Sequence, residues 1–214
     1  VEFKIWERLA ANATFPKSLY LNYLSKKQKK EEIPLLQKCD AILCITQEDE
    51  QQLKALNVNV PMTTIPVFMD ESAQQVDFSS SKFHHLGSMN WQPNVEAVNE
   101  LIDHIFPKIK AEIPDAELHL GGSFFPDTIK SNPAAGIFVH GFVEDKFEFI
   151  NTNGIQLIPL KSGSGVRVKI LESLAIGAPI VTTEIGVEGI DVTNGNELFI
   201  GENDSDFIEK AIRL

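Results

Sequence analysis

The segment that decides the fold is Leu160-Lys-Ser-Gly-Ser-Gly-Val-Arg-Val-Lys-Ile-Leu-Glu-Ser-Leu-Ala-Ile-Gly-Ala-Pro-Ile-Val181. It opens with a Gly/Ser-rich turn and continues into an apolar run, which predicts a helix from Ser164 to Ile176. Short apolar stretches on either side, Ile155 to Ile158 and Pro179 to Thr182, predict strands. Two strands joined through a helix indicate a parallel sheet.

The same alternation of strands and helices extends in both directions from this segment. Because each strand is followed by a helix, we predict an α/β fold: a Rossmann-like parallel sheet with helices on both faces. The further predicted strands are Phe83–Leu86, Glu117–Leu120, Ile137–His140 and Leu198–Ile200, and the further helices are Asn94–Ala111, one near Lys146, and Asp204–Arg213.

The amino-terminal part of the chain has a different pattern. Helices broken by Pro16 and Pro34 are predicted between Ile5 and Gln37. Two short strands, Ala41–Ile45 and Met62–Ile65, follow, and Thr46 is placed as a helix N-cap. The polar residues after Pro66 are a candidate linker, which gives domains over 1–67 and 82–214 with the linker at 68–81.

Composition narrows the classes of partner. The 214 residues carry a formal net charge of −11, and an acidic surface disfavours a nucleic-acid partner. Cys39 and Cys44 are too near along the chain to bridge easily, so we expect two buried free thiols in a reducing compartment. No His/Cys cluster is present and Asp204-Ser-Asp206 is interpreted as a helix cap, so neither a metal nor another cofactor is expected.

The Gly/Ser-rich turn has the features of an anion site. Gly163, Ser164 and Gly165 would expose backbone N–H groups at a helix start, where the helix dipole adds positive potential. Arg167 and Lys169 follow in the first turns, where cations are unfavourable unless an anion is bound. We therefore predict a diphosphate site. A pair of cations facing solvent is the alternative that the sequence leaves open.

Glu172 is a further residue of this segment that could bind a ligand. Its carboxylate lies within an apolar run, and such a carboxylate can accept two hydrogen bonds from a ribose diol. It could instead pair with Lys169 or Arg167, which lie close by on a helix. Glycines also follow the predicted strands, at Gly87, Gly121-Gly122 and Gly141, and in open α/β sheets that edge binds ligands. A structural turn would explain each glycine equally well.

With these motifs in place, the chain resembles the family 4 glycosyltransferases. These are retaining enzymes of the GT-B fold, which has two Rossmann-like domains. The resemblance covers about Lys82 to Arg213 and rests on motifs in the family's order. They are Leu86-Gly-Ser-Met-Asn-Trp-Gln-Pro-Asn-Val-Glu-Ala97, Leu118-His-Leu-Gly-Gly122, Val139-His-Gly-Phe-Val-Glu-Asp145, Pro159 to Val181, and Ile185-Gly-Val-Glu-Gly189.

The resemblance implies roles for individual residues. Glu172 matches the second Glu of the family's Glu-x7-Glu motif, which binds the donor ribose, whereas Ser164 stands where the first Glu is expected. The contact usually made to the donor sugar is therefore not predicted for this chain. Further residues match donor-binding positions: Arg167 and Lys169 for the diphosphate, Gly87 and Ser88 for the turn after the first strand, and Gly141, Phe142 and Val143 for the loop that passes the base.

The resemblance also implies an activity and partners. We expect a retaining glycosyltransferase that moves a sugar from a nucleotide-sugar donor to a glycan or lipid acceptor. Residues 82–214 would form the donor half of a GT-B fold and residues 1–67 the tail of the acceptor domain. A fragment of this kind would bind its donor weakly, and its turnover is in doubt. The alternatives are a non-catalytic nucleotide-sugar-binding module and a GT-B epimerase or phosphorylase.

Location and assembly are the last expectations. We expect a cytoplasmic protein, with the full-length enzyme peripheral to the inner face of a membrane as a further expectation. The apolar face of the amino-terminal helices needs cover, which packing on the donor domain or a homodimer would provide.

Overall fold

A computed structural model describes residues 2–69, 81–163 and 165–214 of the chain. The chain divides into two compact units. The first contains Val1–Phe68, Ser162–Val166 and Glu188–Ile190, and the second contains Met69–Lys161, Arg167–Val187 and Asp191–Leu214. Most of the predicted linker at 68–81 falls outside the described residues, so the predicted domain bounds stay a prediction.

The first unit is built from three helices and two short strands. The helices are α1 (Phe3–Ala11), α2 (Lys17–Leu36) and α3 (Gln47–Ala55), and the parallel strands are β1 (Ile42–Cys44) and β2 (Met62–Thr64). The interruption predicted at Pro16 is confirmed, because α1 and α2 are separate helices, whereas Pro34 does not interrupt α2. Pro16 is the N-cap of α2, where a missing N–H costs nothing, and Pro34 lies within the last turn of α2. The predicted interruption at Pro34 is therefore wrong.

Two small predictions in this unit have different outcomes. Thr46 caps α3 as predicted, because its hydroxyl oxygen accepts a hydrogen bond from the Asp49 N–H at 3.0 Å. Cys44 is buried beside Leu53 and Val58, but Cys39 is exposed in the turn after α2. The expectation of two buried thiols is wrong for Cys39, because this residue precedes the strand, which begins only at Ile42.

The second unit contains a six-stranded sheet in which every neighbouring pair is parallel. The strand order is β5-β4-β3-β6-β7-β8. Counted within this unit it reads 3-2-1-4-5-6, which is the order of a Rossmann fold. The strands are β3 (Lys82–Leu86), β4 (Glu117–Gly121), β5 (Ile137–Gly141), β6 (Ile155–Ile158), β7 (Ile180–Thr182) and β8 (Phe199–Ile200).

Helices cover both faces of this sheet, which confirms the predicted fold class. Successive residues of a strand point to opposite faces, and two apolar clusters follow. Phe83 belongs to the larger cluster, with Ile109 and Phe207, whereas Leu86 packs with Ile150 in the smaller one. The helices are α4 (Gln92–Glu100), α5 (Phe106–Glu112), α6 (Lys146–Thr152), α7 (Val168–Ala175) and α8 (Asp204–Arg213), with a 3₁₀ turn at Pro133–Ala135.

A π-helical turn, Leu101–Ile105, joins α4 to α5 where one helix with a kink at Pro107 is predicted. The Phe106 N–H bonds to the Leu101 carbonyl, five residues back. Proline has no N–H to continue an α-helical ladder, and the wider turn just before Pro107 keeps the segment helical. Leu101, Ile105 and Ile109 remain fully buried on one side.

Helix α7 begins later than predicted. Its first residue is Val168, with Arg167 as the N-cap, rather than Ser164. Gly163 and Gly165 have φ angles of +126° and +80°, which a right-handed helix excludes. Ser164 itself lies outside the described residues. The prediction that this helix begins at Ser164 is therefore wrong.

No helix within the described residues is both long enough and apolar enough to cross a membrane.

Candidate functional site

Glycines at three neighbouring strand ends hold the carboxyl edge of the sheet together. The Gly87 N–H bonds to the Gly121 carbonyl at 3.0 Å, and the Gly122 N–H bonds to the Gly141 carbonyl at 2.7 Å. Gly122 has a φ of +136°, and a Cβ on it would lie 1.7 Å from the Gly87 carbonyl oxygen. The backbones after β3, β4 and β5 therefore approach more closely than side chains would allow.

This edge contains the topological switch point of the second unit. The strand order reverses between β3 and β6, because β3 leads to one side of the sheet and β6 to the other. Ligands of doubly wound sheets bind in the crevice at that point, outside the carboxyl ends of the strands. Gly87 directly follows β3, and α7 is the helix that follows β6. The candidate site is therefore built around Gly87 and the start of α7.

The turn after β3 is fixed by side chains. Asn94 of α4 is buried and donates its amide N–H to the Ser88 carbonyl at 2.9 Å. The Ser88 hydroxyl lies 2.9 Å from Asn90 Oδ1 and 3.0 Å from Ser123 Oγ. A Cβ on Gly87 would come within 2.7 Å of Asn94 Nδ2 and 2.8 Å of Lys169 Nζ. Glycine at this position thus leaves room for the Lys169 amine.

Lys169 reaches from the first turn of α7 to this turn. Its Nζ lies 2.8 Å from Asn94 Oδ1 and 3.3 Å from His85 Nε2. Burial lowers the pKa of Lys169 to about 7, with a further lowering by the charge of Arg167 and an opposing effect of Glu172. The structure therefore brings the predicted residues Gly87, Ser88 and Lys169 together through Asn94.

Arg167 is buried rather than facing solvent. One guanidinium nitrogen donates to the Ile185 carbonyl at 3.2 Å, and the guanidinium carbon lies 5.7 Å from the centre of the Trp91 ring. The alternative of two cations in solvent is thus wrong for Arg167. Its position at the N-cap of α7 places a positive charge at the positive end of a helix, which favours a nearby anion.

Glu172 is buried on α7 and has a partner that neither sequence alternative contained. Its carboxylate forms an ion pair with Lys146, the first residue of α6. Lys146 was missed, although the sequence carries a signal for it. Asp145 caps α6, so Lys146 is a cation at a helix start, the same arrangement that drew attention to Arg167.

The predicted base loop follows β5. Gly141 has a φ of +70°, and the pairing of β4 with β5 shifts register there, which turns the chain out of the sheet. Val143 packs over the end of β4, since a Cβ on Gly121 would lie 2.8 Å from one of its methyl groups. Phe142 has 79% of its surface exposed. This loop thus presents one aromatic side chain to solvent.

Gly163 of the predicted diphosphate loop has its contact in the first unit. The Gly163 carbonyl accepts a hydrogen bond from Arg8 of α1, and Arg8 also pairs with both carboxylate oxygens of Glu188, at 2.5 and 2.6 Å. Glu188 raises the pKa of Arg8. Arg8 stands 155 residues before Gly163 and 180 before Glu188, so no local pattern could have indicated this cluster.

The second unit is a Rossmann-like domain, with close-packed glycines, the buried Arg167 and the partly buried Lys169 beside its switch point. Residues 80–214 match the family described as Glycosyl transferases group 1. Since this match takes in more than half of the chain, the chain belongs to that family.

Several solved structures share this fold. A TarM variant from S. aureus, in a complex that contains UDP, superposes with a TM-score of 0.70 at 16% identity, over 88% of this chain and 39% of that one. The pneumococcal O-GlcNAc transferase GtfA, in complex with UDP and GlcNAc, gives 0.70 at 14% identity, over 88% and 40%. Anabaena Alr3699/HepE, with UDP and glucose, gives 0.61 at 12%, over 88% and 62%.

A curated relative extends the likeness to both units. An uncharacterized 44.6 kDa protein in the cps region of Klebsiella pneumoniae is 23% identical over 211 residues, which are 94% of this chain and 53% of that protein. The chain thus spans about half the length of the curated relative that it matches.

Proposed function

We propose that the chain is the nucleotide-sugar-binding part of a retaining family 4 glycosyltransferase, which transfers a sugar to a glycan or lipid acceptor. The observation that carries the proposal is the start of α7 beside the Gly87 turn. There Arg167 and Lys169 supply positive charge, and the buried Glu172 supplies a carboxylate one helical turn further on. A diphosphate and a ribose are the ligand groups that this order of charges suits.

The chemistry of the donor explains why the cations matter. Breaking the bond between the sugar and the diphosphate leaves negative charge on the departing nucleotide. Fixed cations and backbone N–H groups that face that charge stabilise the transition state. Arg167 is held by Ile185 and Trp91, and Lys169 by Asn94 and His85, so neither side chain has to be ordered at the moment of reaction.

Nucleotide binding by this chain tests the proposal. UDP, GDP and ADP, each with and without a sugar, are titrated into the protein by calorimetry, and at least one nucleoside diphosphate is expected to bind. Removing both cations, in Arg167→Ala with Lys169→Ala, should weaken that binding at least about tenfold, because hydrogen bonds to charged groups contribute about 1.5–3 kcal/mol each. If none of the three nucleotides bound to the chain, the proposal would be wrong.

A charge-matched control separates a specific site from general attraction. Lys108 and Lys130 are exposed residues of the same unit, so Lys108→Ala with Lys130→Ala removes two positive charges away from the candidate site. This double variant should bind as the wild type does. Equal losses in both double variants would mean that the protein attracts nucleotides only by long-range charge, against the proposal.

An assay of donor hydrolysis distinguishes the proposed transferase from the alternative classes of protein. A binding module would leave the nucleotide sugar intact, whereas an epimerase would release an isomer or free sugar without an acceptor. A phosphorylase would need inorganic phosphate and a glycan. We propose further that the reaction needs no metal and takes place in the cytoplasm. Sugar transfer, assayed in the presence of a chelator and of candidate acceptors, tests both the class and the metal independence.

A further inference from the structure

Five groups form one hydrogen-bonded chain across the candidate site. The Leu157 carbonyl lies 2.8 Å from His85 Nδ1, and His85 Nε2 lies 3.3 Å from Lys169 Nζ. Lys169 continues to Asn94 Oδ1, and the Asn94 amide ends the chain on the Ser88 carbonyl. His85 is completely buried, and Asn94 nearly so. These hydrogen bonds therefore fix the orientation of the Lys169 amine.

The direction of each hydrogen bond follows from its two ends. A carbonyl oxygen only accepts, so the proton of His85 must sit on Nδ1, facing Leu157. Burial keeps the pKa of His85 well below its usual value, so the ring is neutral and its Nε2 is an acceptor. Asn94 donates its N–H to Ser88, which leaves Oδ1 as the acceptor on the other side. Lys169 thus faces two acceptors and donates to both.

Two donated bonds exhaust the hydrogens of a neutral amine. Nitrogen in that state holds two N–H bonds and one lone pair, whereas an ammonium group holds three N–H bonds. With two positions fixed on His85 and Asn94, the third carries a lone pair when Lys169 is neutral. A phosphate oxygen needs an N–H at that third position. The amine therefore has to gain a proton before it can bind a phosphate.

The charged groups around Lys169 favour the neutral state in the absence of an anion. Arg167 lies at the N-cap of the same helix and opposes a second positive charge. Glu172 acts in the other direction, but its carboxylate already pairs with Lys146. None of the ion pairs among the described residues involves Lys169. From β3, His85 contacts it, and this ring is neutral.

We propose that His85 and Asn94 are positioning residues, which hold Lys169 so that binding of the donor's diphosphate draws one proton from solvent onto its amine. The step balances: a solvated proton is consumed, one N–H bond forms at Nζ, and the new ammonium donates it to a phosphate oxygen. The inference rests on the proposed function, since it needs a diphosphate at this place. It adds a proton to the binding reaction and gives His85 and Asn94 a part in it.

Calorimetry at pH 8 in buffers of different ionisation enthalpy measures the proton directly. UDP, GDP and ADP serve as probes, because their own phosphates are fully ionised at this pH. Close to one proton is expected to be taken up for each nucleotide bound. The dissociation constant should rise roughly tenfold from pH 8 to pH 9, because Lys169, with a pKa of about 7, must be recharged at each binding event.

Two variants test the protonation of Lys169 and the part that Asn94 has in it. Lys169→Arg carries a permanent charge, so it should bind without taking up a proton. Asn94→Asp places a carboxylate beside Lys169, which charges the amine beforehand. The proton uptake at pH 8 should then disappear, and the pH at which binding weakens should move up by more than one unit. A purely structural role of Asn94 would lower affinity but leave the pH profile where it was.

The outcomes distinguish this inference from the proposed function. A nucleotide that binds with the same affinity from pH 7 to pH 9, without proton uptake, would overturn the inference and leave the proposed function standing. Proton uptake that persists in Lys169→Arg would also overturn it, since another group would then be titrating. No binding of the three nucleotides at any pH would overturn the proposed function itself. Circular dichroism of each variant confirms that the fold is retained.

Discussion

Gly122 is the residue at which the backbone leaves the least room. Its φ lies in the left-handed region, and the Gly87 carbonyl occupies the space that a side chain would need. Gly87 in turn borders on Asn94 and Lys169. The absence of two side chains at neighbouring strand ends thus sets the position of the polar groups in the candidate site.

Replacing Gly122 by alanine should therefore destabilise the second unit strongly. We expect a loss of about 3 kcal/mol or more in the free energy of unfolding, because backbone must move to relieve a contact of 1.7 Å. Urea unfolding followed by circular dichroism measures the change. Gly195→Ala is the matched control: it has a φ of +88° but open space around it, so only the backbone strain of about 1–2 kcal/mol remains. Equal losses in the two variants would contradict the steric argument.

Glu172 allows a second test of a single residue. In Glu172→Gln we expect the affinity for a nucleoside diphosphate to fall about tenfold, because hydrogen bonds to a charged acceptor are stronger than those to a neutral one. The 2′,3′-dideoxy form of the same nucleotide should bind equally to wild type and variant. Calorimetry with both ligands measures this, and exposed Glu209→Gln serves as the control. A loss of the same size with the dideoxy form would show that Glu172 acts elsewhere than on the ribose.

At the scale of elements, the sequence predicts which helices and strands exist better than where they begin. Apolar periodicity identified α7, but its start was placed four residues early, at Ser164 instead of Val168. The φ angles of Gly163 and Gly165 decided this, and glycine in a sequence does not reveal which φ it adopts. Helix α8 was bounded correctly, but its cap is Asn203 rather than the predicted Asp204.

Helix α1 makes a contact that no local pattern predicts. Arg8 is the residue through which it holds Gly163 and Glu188. In Arg8→Ala we expect backbone amides of residues 162–166 and 188–190 to exchange with solvent about fivefold faster, which corresponds to about 1 kcal/mol for a half-exposed, two-pronged ion pair. Hydrogen–deuterium exchange with mass spectrometry measures this. Glu7→Ala, an exposed change on the same helix, should leave both segments as in the wild type.

At the scale of the whole molecule, the alternation of strands and helices was sufficient to predict a parallel sheet covered on both faces. The order of the strands was beyond reach, because the partners of Lys82–Leu86 stand 35 and 72 residues away along the chain. Polar groups that are neighbours in the structure can also be far apart in the sequence, so the sequence does not reveal their contact. Asn94 and Lys169 are 75 residues apart, and only the fold shows that they share a hydrogen bond.

Burial of histidine in the central strand predicts acid sensitivity of the second unit. His84 is completely buried, and its Nδ1 lies 3.2 Å from the Asn153 carbonyl. Burial lowers its pKa from 6.5 to about 4. The unfolded chain therefore binds more protons than the folded one between these values. Stability is fully present above pH 6.5 and is lost as the pH falls towards 4.

Between pH 7 and pH 5 this one histidine should cost about 2 kcal/mol of the free energy of unfolding. Urea unfolding at the two pH values measures the loss in the wild type. His84→Phe keeps an aromatic ring against Phe149 but does not titrate, so its loss over the same interval should be smaller by that amount. Identical pH dependence in wild type and variant would show that His84 is not the group responsible.

The two cysteines of the first unit differ in exposure, which allows a fluorescent label to be attached at a single site. Cys39 is exposed at the end of α2, whereas Cys44 is buried in a strand, and burial raises the pKa of its thiol. A maleimide dye reacts with accessible thiolate, so one fluorophore should attach at Cys39 without any mutation. Labelled at a single point, the native chain can report by fluorescence quenching or energy transfer whether its first unit responds when a nucleotide is added to the second.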